Sequence, residues 1–136
     1  MHFRVHSNAR GDFLNYSINE ISRLTKLSKY TLRYYEKEGL VPKIKRNSSG
    51  YRIYDEKDLE WLTFLLKVKE TGMPIQTLKR FSRIMFNPKT IPERRKILLE
   101  HKQHIIQQQE KLQKSLDAID KKFKKYDEIQ RKSIEL

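Results

Sequence analysis

Residues 28–52 read Ser28-Lys29-Tyr30-Thr31-Leu32-Arg33-Tyr34-Tyr35-Glu36-Lys37-Glu38-Gly39-Leu40-Val41-Pro42-Lys43-Ile44-Lys45-Arg46-Asn47-Ser48-Ser49-Gly50-Tyr51-Arg52. Ser28 has the short hydroxyl side chain that caps a helix start. Gly39 suits the left-handed position just past a helix end, and Pro42 blocks any continuation. The spacing therefore predicts a short helix ending at Glu38, with Leu32, Tyr35 and Leu40 toward a core. Beyond it, Ile44 and then Tyr51, Ile53 and Tyr54 favour extended structure, and Asn47-Ser48-Ser49-Gly50 is a turn sequence. The expected product is a β-hairpin with Lys43, Lys45, Arg46 and Arg52 on or near its strands. A capped helix followed at once by a basic hairpin is the layout of a winged DNA reader; a solvated basic loop is the plainer reading.

The flanks support the first reading. Upstream, Ser17 and Glu20 stand at S-x-x-E spacing, a capping box. Ile18, Ile21, Leu24 and Leu27 then recur at helical spacing. A break at residues 25–27 separates this helix from the next, giving a helix-turn-helix. Downstream, Asp55 caps a third helix with Asp58 in its first turn. Its apolar face holds Leu59, Leu62, Phe64, Leu65, Leu66 and Val68, and Gly72 ends it. Trp61 is expected in the core or at an interface. Met73-Pro74 opens a fourth helix whose expected buried stripe is Ile75, Leu78, Phe81, Ile84 and Met85. Asn87-Pro88 breaks it.

From Pro92 onward neither Gly nor Pro interrupts the chain. Leu98, Ile105, Leu112, Ile119 and Tyr126 fall seven apart, and Leu116 and Phe123 follow at four-residue offsets. The pattern is a coiled coil with a strong d row and a mixed a row that includes Lys102 and Gln109. Such a stripe needs a second copy or another chain, unless the helix folds back on its own domain. Periodicity alone does not give strand direction. The fold class is mainly α: a winged helix-turn-helix domain with a small β-hairpin wing, then a long dimerisation helix. The expected boundaries are a loose tail at 1–15, the winged domain at 16–86, a linker at 87–92, and the coiled-coil helix with its C-terminal tail at 93–136.

The 136 residues allow one ordinary domain and an extension. The net charge of +13 attracts polyanions, either nucleic acid or an acidic membrane surface. No apolar run approaches the ~18 residues of a membrane span, and no signal peptide is visible. The chain has no cysteine, which excludes disulfides, thiolate metal sites and thiol redox sensing. A cytoplasmic protein is expected.

DNA reading needs a helix for the major groove, cations for phosphates and a few side chains for base edges. Residues 28–52 carry seven Lys and Arg against Glu36 and Glu38, leaving +5. Lys29, Tyr30, Arg33 and Lys37 lie on neighbouring turns, opposite Leu32 and Tyr35. Arg33 can make a two-pronged contact to guanine or to phosphate. Tyr34, Ser17 and Thr31 can contact phosphates, and Arg46 and Arg52 can hold flanking phosphates or enter the minor groove. Catalytic readings fare poorly, since there is no Gly-rich phosphate loop and no HExxH. His101 and His104 share a helix face but more simply decorate the coil, and the two tail histidines, His2 and His6, lack further ligands. No catalytic residue, metal or cofactor is expected.

In this order and spacing the residues resemble the mercury-resistance regulator (MerR) family of bacterial transcription factors. The resemblance runs through Tyr16-Ser17-Ile18-Asn19-Glu20-Ile21, Thr31-Leu32-Arg33-Tyr34-Tyr35-Glu36-Lys37-Glu38-Gly39-Leu40, Gly50-Tyr51-Arg52-Ile53-Tyr54, Asp58-Leu59 and Gly72-Met73-Pro74-Ile75. It implies a homodimer joined by an antiparallel coiled coil, seated on pseudo-palindromic double-stranded promoter DNA. Activating members bend and untwist the promoter spacer so that RNA polymerase, a further partner, engages both elements. By position, Ser17, Lys29, Tyr30, Thr31, Arg33 and Tyr34 would be helix contacts, and Lys45, Arg46, Tyr51 and Arg52 wing contacts. The seam would use Leu98, Ile105, Leu112, Leu116, Ile119, Phe123 and Tyr126. The family's metal-responsive branches use cysteines, which are missing here, and its drug-binding branch carries a large effector domain after the coil. A small-molecule effector would instead meet Phe81, Met85 and Phe86. Two other readings stand beside this one: a DNA-architectural or recombination accessory protein with the same winged fold, and a coiled-coil adaptor for an acidic partner.

Overall fold

The computed structural model describes residues 15–135. Strand β1 (Tyr16–Ser17) leads into helix α1 (Ile18–Thr25), and α2 (Lys29–Lys37) follows. Strands β2 (Lys45–Arg46) and β3 (Arg52–Tyr54) form the hairpin. Helices α3 (Glu56–Glu70) and α4 (Ile75–Ile84) come next, then a 3-10 turn (Pro88–Thr90) and α5 (Ile91–Glu135). The chain divides into two units, one up to Arg94 and one from Arg95 on.

Local chemistry explains where the first helices begin and end. In the capping box of α1, the Glu20 N–H donates to Ser17 Oγ and the Ser17 N–H to Glu20 Oε1, both at 3.1 Å. Each such cap contributes ~1 kcal/mol. The turn to α2 passes through Lys26 at φ 62°, a left-handed conformation that costs a side-chain-bearing residue of order 1 kcal/mol. Thr25 Oγ1 steadies that turn by donating to the Ile21 carbonyl at 2.7 Å. Ser28 then caps α2 by accepting from the Thr31 N–H at 3.0 Å.

Helix α2 stops in a Schellman turn. Gly39 sits at φ 75°, its N–H reaches the Glu36 carbonyl, and the Leu40 N–H reaches the Tyr35 carbonyl at 2.9 Å. The same device ends α3. Gly72 sits at φ 97° and the Met73 N–H donates to the Val68 carbonyl at 2.9 Å. Both turns bury the apolar residue that follows, Leu40 and Met73.

The hairpin gains a third strand. The sheet order is β1-β3-β2, all antiparallel, with Tyr16 opposite Tyr54 and Arg46 opposite Arg52. β1 was not expected from the sequence, because two residues carry no alternation to detect. At the wing tip Asn47 Oδ1 accepts from the Ser49 and Tyr51 N–H groups, each at 3.0 Å.

The core gathers Ile21, Leu32, Tyr35, Leu40, Tyr54, Leu62, Leu65 and Leu78, all under 5% exposed. Trp61 is buried, and its indole stacks on Phe81 with centroids 5.3 Å apart and Phe64 alongside. Its Nε1–H donates to the Leu40 carbonyl at 2.8 Å. Lys69 Nζ donates to the Tyr35 hydroxyl at 2.9 Å and lies 5.0 Å from the centre of that ring.

One expected burial is not found. Ile75, assigned to the buried stripe of α4, is 51% exposed. It is the first residue of the helix and lies between exposed Pro74 and Gln76, at a solvent-facing end. Residues 87–92, expected as a linker, hold a capped 3-10 turn and the start of α5. Asn87 Oδ1 caps the 3-10 turn by accepting from the Lys89 N–H at 3.0 Å. Thr90 Oγ1 donates to the Ile84 carbonyl, Arg94 Nε donates to Thr90 Oγ1, and Arg80 pairs with Glu93. With those groups satisfied, α5 starts at Ile91 and runs 45 residues, about 68 Å at ~1.5 Å per residue.

Two buried polar groups yield predictions. The Tyr54 hydroxyl has no hydrogen-bond partner among the described residues, and burial pushes its pKa up to about 12. An unpaired buried hydroxyl stabilises nothing, so Tyr54→Phe should leave stability unchanged or raise it by up to about 1 kcal/mol in urea melts. A loss larger than that would show that the hydroxyl is bonded. Burial also pushes the Asp58 carboxyl up to about 6, while a hydrogen bond from the Asp55 backbone pulls against it. The folded chain then holds the Asp58 proton more tightly than the unfolded chain. Its stabilising contribution is fully present below the ordinary carboxylate range and is lost as pH rises through about 6. Asp58→Asn keeps an acceptor for the Asp55 N–H at the cap. In urea melts taken between about pH 4 and pH 7, the variant should lack the part of the wild-type slope due to Asp58.

Candidate nucleic-acid interface

Helix α2 buries Leu32 and Tyr35 and turns its other side outward. The consequence is an exposed row of Lys29, Tyr30, Arg33, Tyr34 and Lys37. Tyr30 is 77% exposed and Tyr34 48%, values that place both phenols outside the core. Thr31 is half-buried and works in the helix cap, where its Oγ1 accepts from Ser28 Oγ at 2.9 Å. Ser17 Oγ and the Ser17 N–H both serve the α1 capping box, so only its hydroxyl hydrogen is left to offer a phosphate.

On the wing, Lys45, Arg46 and Tyr51 are exposed. Arg46 Nη1 donates to the Gly50 carbonyl at 2.9 Å, which steadies the side chain across the turn. Arg52 is placed differently. Its Nε donates to Glu36 Oε1 on α2 at 3.0 Å, and its side chain is only 19% exposed. Glu36 is one turn beyond Arg33 on the same helix, so this bond brings β3 to the last turn of α2.

The two carboxylates of residues 28–52 are thus both engaged. Glu36 pairs with Arg52, and Glu38 pairs with Lys79 of α4 at 3.4 Å. Among the described residues, Lys29, Arg33, Lys37, Lys43, Lys45 and Arg46 take part in no ion pair. The roles of Glu36 and Glu38 escaped the sequence reading. Their partners lie 16 and 41 residues away, beyond any helix-periodic signal.

On α5, Leu112, Leu116, Ile119, Phe123 and Tyr126 are each more than half exposed, whereas Leu98 and Ile105 are half-buried. Leu99, Ile106 and Ile129 are exposed apolar residues on the same helix that the d and a rows omitted. Of the residues assigned to an effector, Phe81 is buried in the stack with Trp61, Met85 is half-buried and Phe86 is exposed. No group of three or more His, Cys, Asp or Glu among the described residues could hold a metal ion. His2 and His6 lie outside the described residues. No described helix is long and apolar enough to cross a membrane.

Comparison with known proteins fits this geometry. Residues 16–83, from β1 to the end of α4, match the family described as MerR HTH family regulatory protein. The chain is 48% identical over 68 residues to the uncharacterized HTH-type transcriptional regulator YyaN of Bacillus subtilis, a match spanning half of this chain and 49% of that one. It is 33% identical over 114 residues to an uncharacterized HTH-type transcriptional regulator of Haemophilus influenzae, covering 83% of this chain and 84% of the relative. Among solved structures, HiNmlR superposes with a TM-score of 0.74 at 33% identity, covering 85% of this chain and 92% of that one. HiNmlR is described as a MerR family regulator lacking the sensor domain, bound to promoter DNA. By sequence across the winged domain and by fold across most of its length, this chain belongs to the MerR HTH family of regulatory proteins.

Proposed function

We propose that this chain is a sequence-specific DNA-binding transcriptional regulator that acts as a homodimer on a pseudo-palindromic promoter site. The observation that carries the reading is the outward row of Lys29, Tyr30, Arg33 and Tyr34 on a helix whose own carboxylates are paired off elsewhere. A helix so equipped can enter a major groove with less repulsion than two unpaired carboxylates would cause. Lys45, Arg46 and Tyr51 extend the surface along the wing. That HiNmlR binds promoter DNA supports the same use of the shared fold. That the relatives are described as regulators argues against the architectural reading.

The dimer is supported by α5. An apolar stripe more than half exposed at five positions is what a coiled-coil seam looks like before it is paired. Two copies present two α2 helices, and a two-fold reader asks for a two-fold site. Bending and untwisting of the spacer is the mechanism we attach to this dimer, with its cost set by spacer sequence. A small-molecule effector would be left with Met85 and Phe86, since the Phe81 ring is taken up by Trp61.

Footprinting on the promoter region of its own gene should show one symmetric protected site, and Leu116→Glu, which breaks the seam, should abolish it. Equal affinity for unrelated duplexes would overturn sequence-specific regulation. Arg33→Ala should weaken binding by ~1–3 kcal/mol and relax specificity at one base position per half-site. A loss that is uniform across sequences would make Arg33 a phosphate contact.

A further inference from the structure

Arg46 and Arg52 are partners across the wing, Cα opposite Cα. Like charges directly opposite each other destabilise a hairpin. The protein separates their fates. Arg46 is exposed and donates along its own turn to Gly50, whereas Arg52 reaches out of the hairpin to Glu36. Both members of the Glu36–Arg52 pair are largely withdrawn from solvent, with side chains 16% and 19% exposed. A charge-assisted hydrogen bond in that setting is stronger than a neutral one and less screened by salt than a surface pair.

The bond also closes a loop in the architecture. β3 is held on one edge by β1, which leads directly into α1, and α1 packs on α2. Arg52 ties the same strand to the last turn of α2. The wing is therefore fixed to α2 from two directions, through the sheet and through the ion pair.

We infer that Glu36 and Arg52 are positioning residues that set the angle of the wing to α2, and that Arg52 contributes to DNA binding through this brace and not by neutralising a phosphate. The inference rests on the reading that α2 and the wing engage one duplex. Arg52 then acts on DNA at one remove, and a carboxylate, Glu36, serves the binding surface without touching it.

The test is a thermodynamic cycle on the full chain. Affinity for the footprinted operator fragment is measured across a salt series for wild type, Glu36→Gln, Arg52→Gln, the double variant, and the swap Glu36→Arg with Arg52→Glu. Thermal melts run alongside. Each single variant should bind roughly 5- to 30-fold more weakly, the size expected for loss of one partly buried pair. The double variant should be no weaker than the worse single one. The salt slope should stay at the wild-type value, and the swap should recover part of the loss. The inference fails if Glu36→Gln binds like wild type while Arg52→Gln lowers the slope by ~0.9, the signature of one lost phosphate contact. It fails equally if the two losses add or if the swap is the weakest binder. Should Arg52→Gln unfold at the assay temperature, the isosteric Glu36→Gln and the swap decide. Wild type binding no operator at all would instead defeat the functional reading beneath it.

Discussion

The indole N–H of Trp61 donates to the carbonyl of Leu40, and much of the winged unit depends on that bond. Leu40 is the first residue past the Schellman turn of α2, and it is buried. A buried carbonyl left without a donor costs ~1–3 kcal/mol, and α3 supplies the donor. The same indole stacks on Phe81 of α4. One side chain thus ties the exit of α2, the body of α3 and the face of α4 together. With its exit fixed, α2 presents the residues on its other side from a rigid mount.

The second organising constraint is the allocation of charge. A chain with thirty Lys and Arg against seventeen Asp and Glu cannot pair every cation. The distribution is selective. Glu36 and Glu38 are the two carboxylates of residues 28–52, and each is drawn to a cation on another element. Their pairing ties α2 to β3 and α4 and leaves neither carboxylate unpaired beside the cation row. The six cations of residues 28–52 outside these pairs keep their full attraction for a polyanion. Folding and recognition draw on the same acidic residues without competing for them.

Helix α5 poses a different physical problem. It is continuous from Ile91 because its first turn is nailed down by Thr90, Arg94 and the Arg80–Glu93 pair. Farther along, Leu112, Leu116, Ile119, Phe123 and Tyr126 remain in water. Exposed apolar surface of that extent calls for a partner, and the repeat of seven calls for a helical one. In the proposed seam, polar Lys102 and Gln109 at a would favour one register over its neighbours at some cost in stability.

Much of the fold was legible from the sequence because its decisive signals are local. Ser17 with Glu20, Ser28, Asp55 with Asp58, Gly39 and Gly72 each act within a turn of their own position, and the structure shows them capping or ending the helices they flank. The heptads of α5 and the exposed row of α2 are likewise periodic facts, readable without knowing what lies across from them. Tertiary structure decided what depends on distant partners. It paired Glu36 with Arg52 and Glu38 with Lys79, added β1 to the hairpin, took Phe81 into the Trp61 stack and left Ile75 in solvent. The physical reason is range. A cap or a helical period is set by neighbours one to seven residues away, whereas an ion pair spanning 16 or 41 residues exists only once the chain has folded.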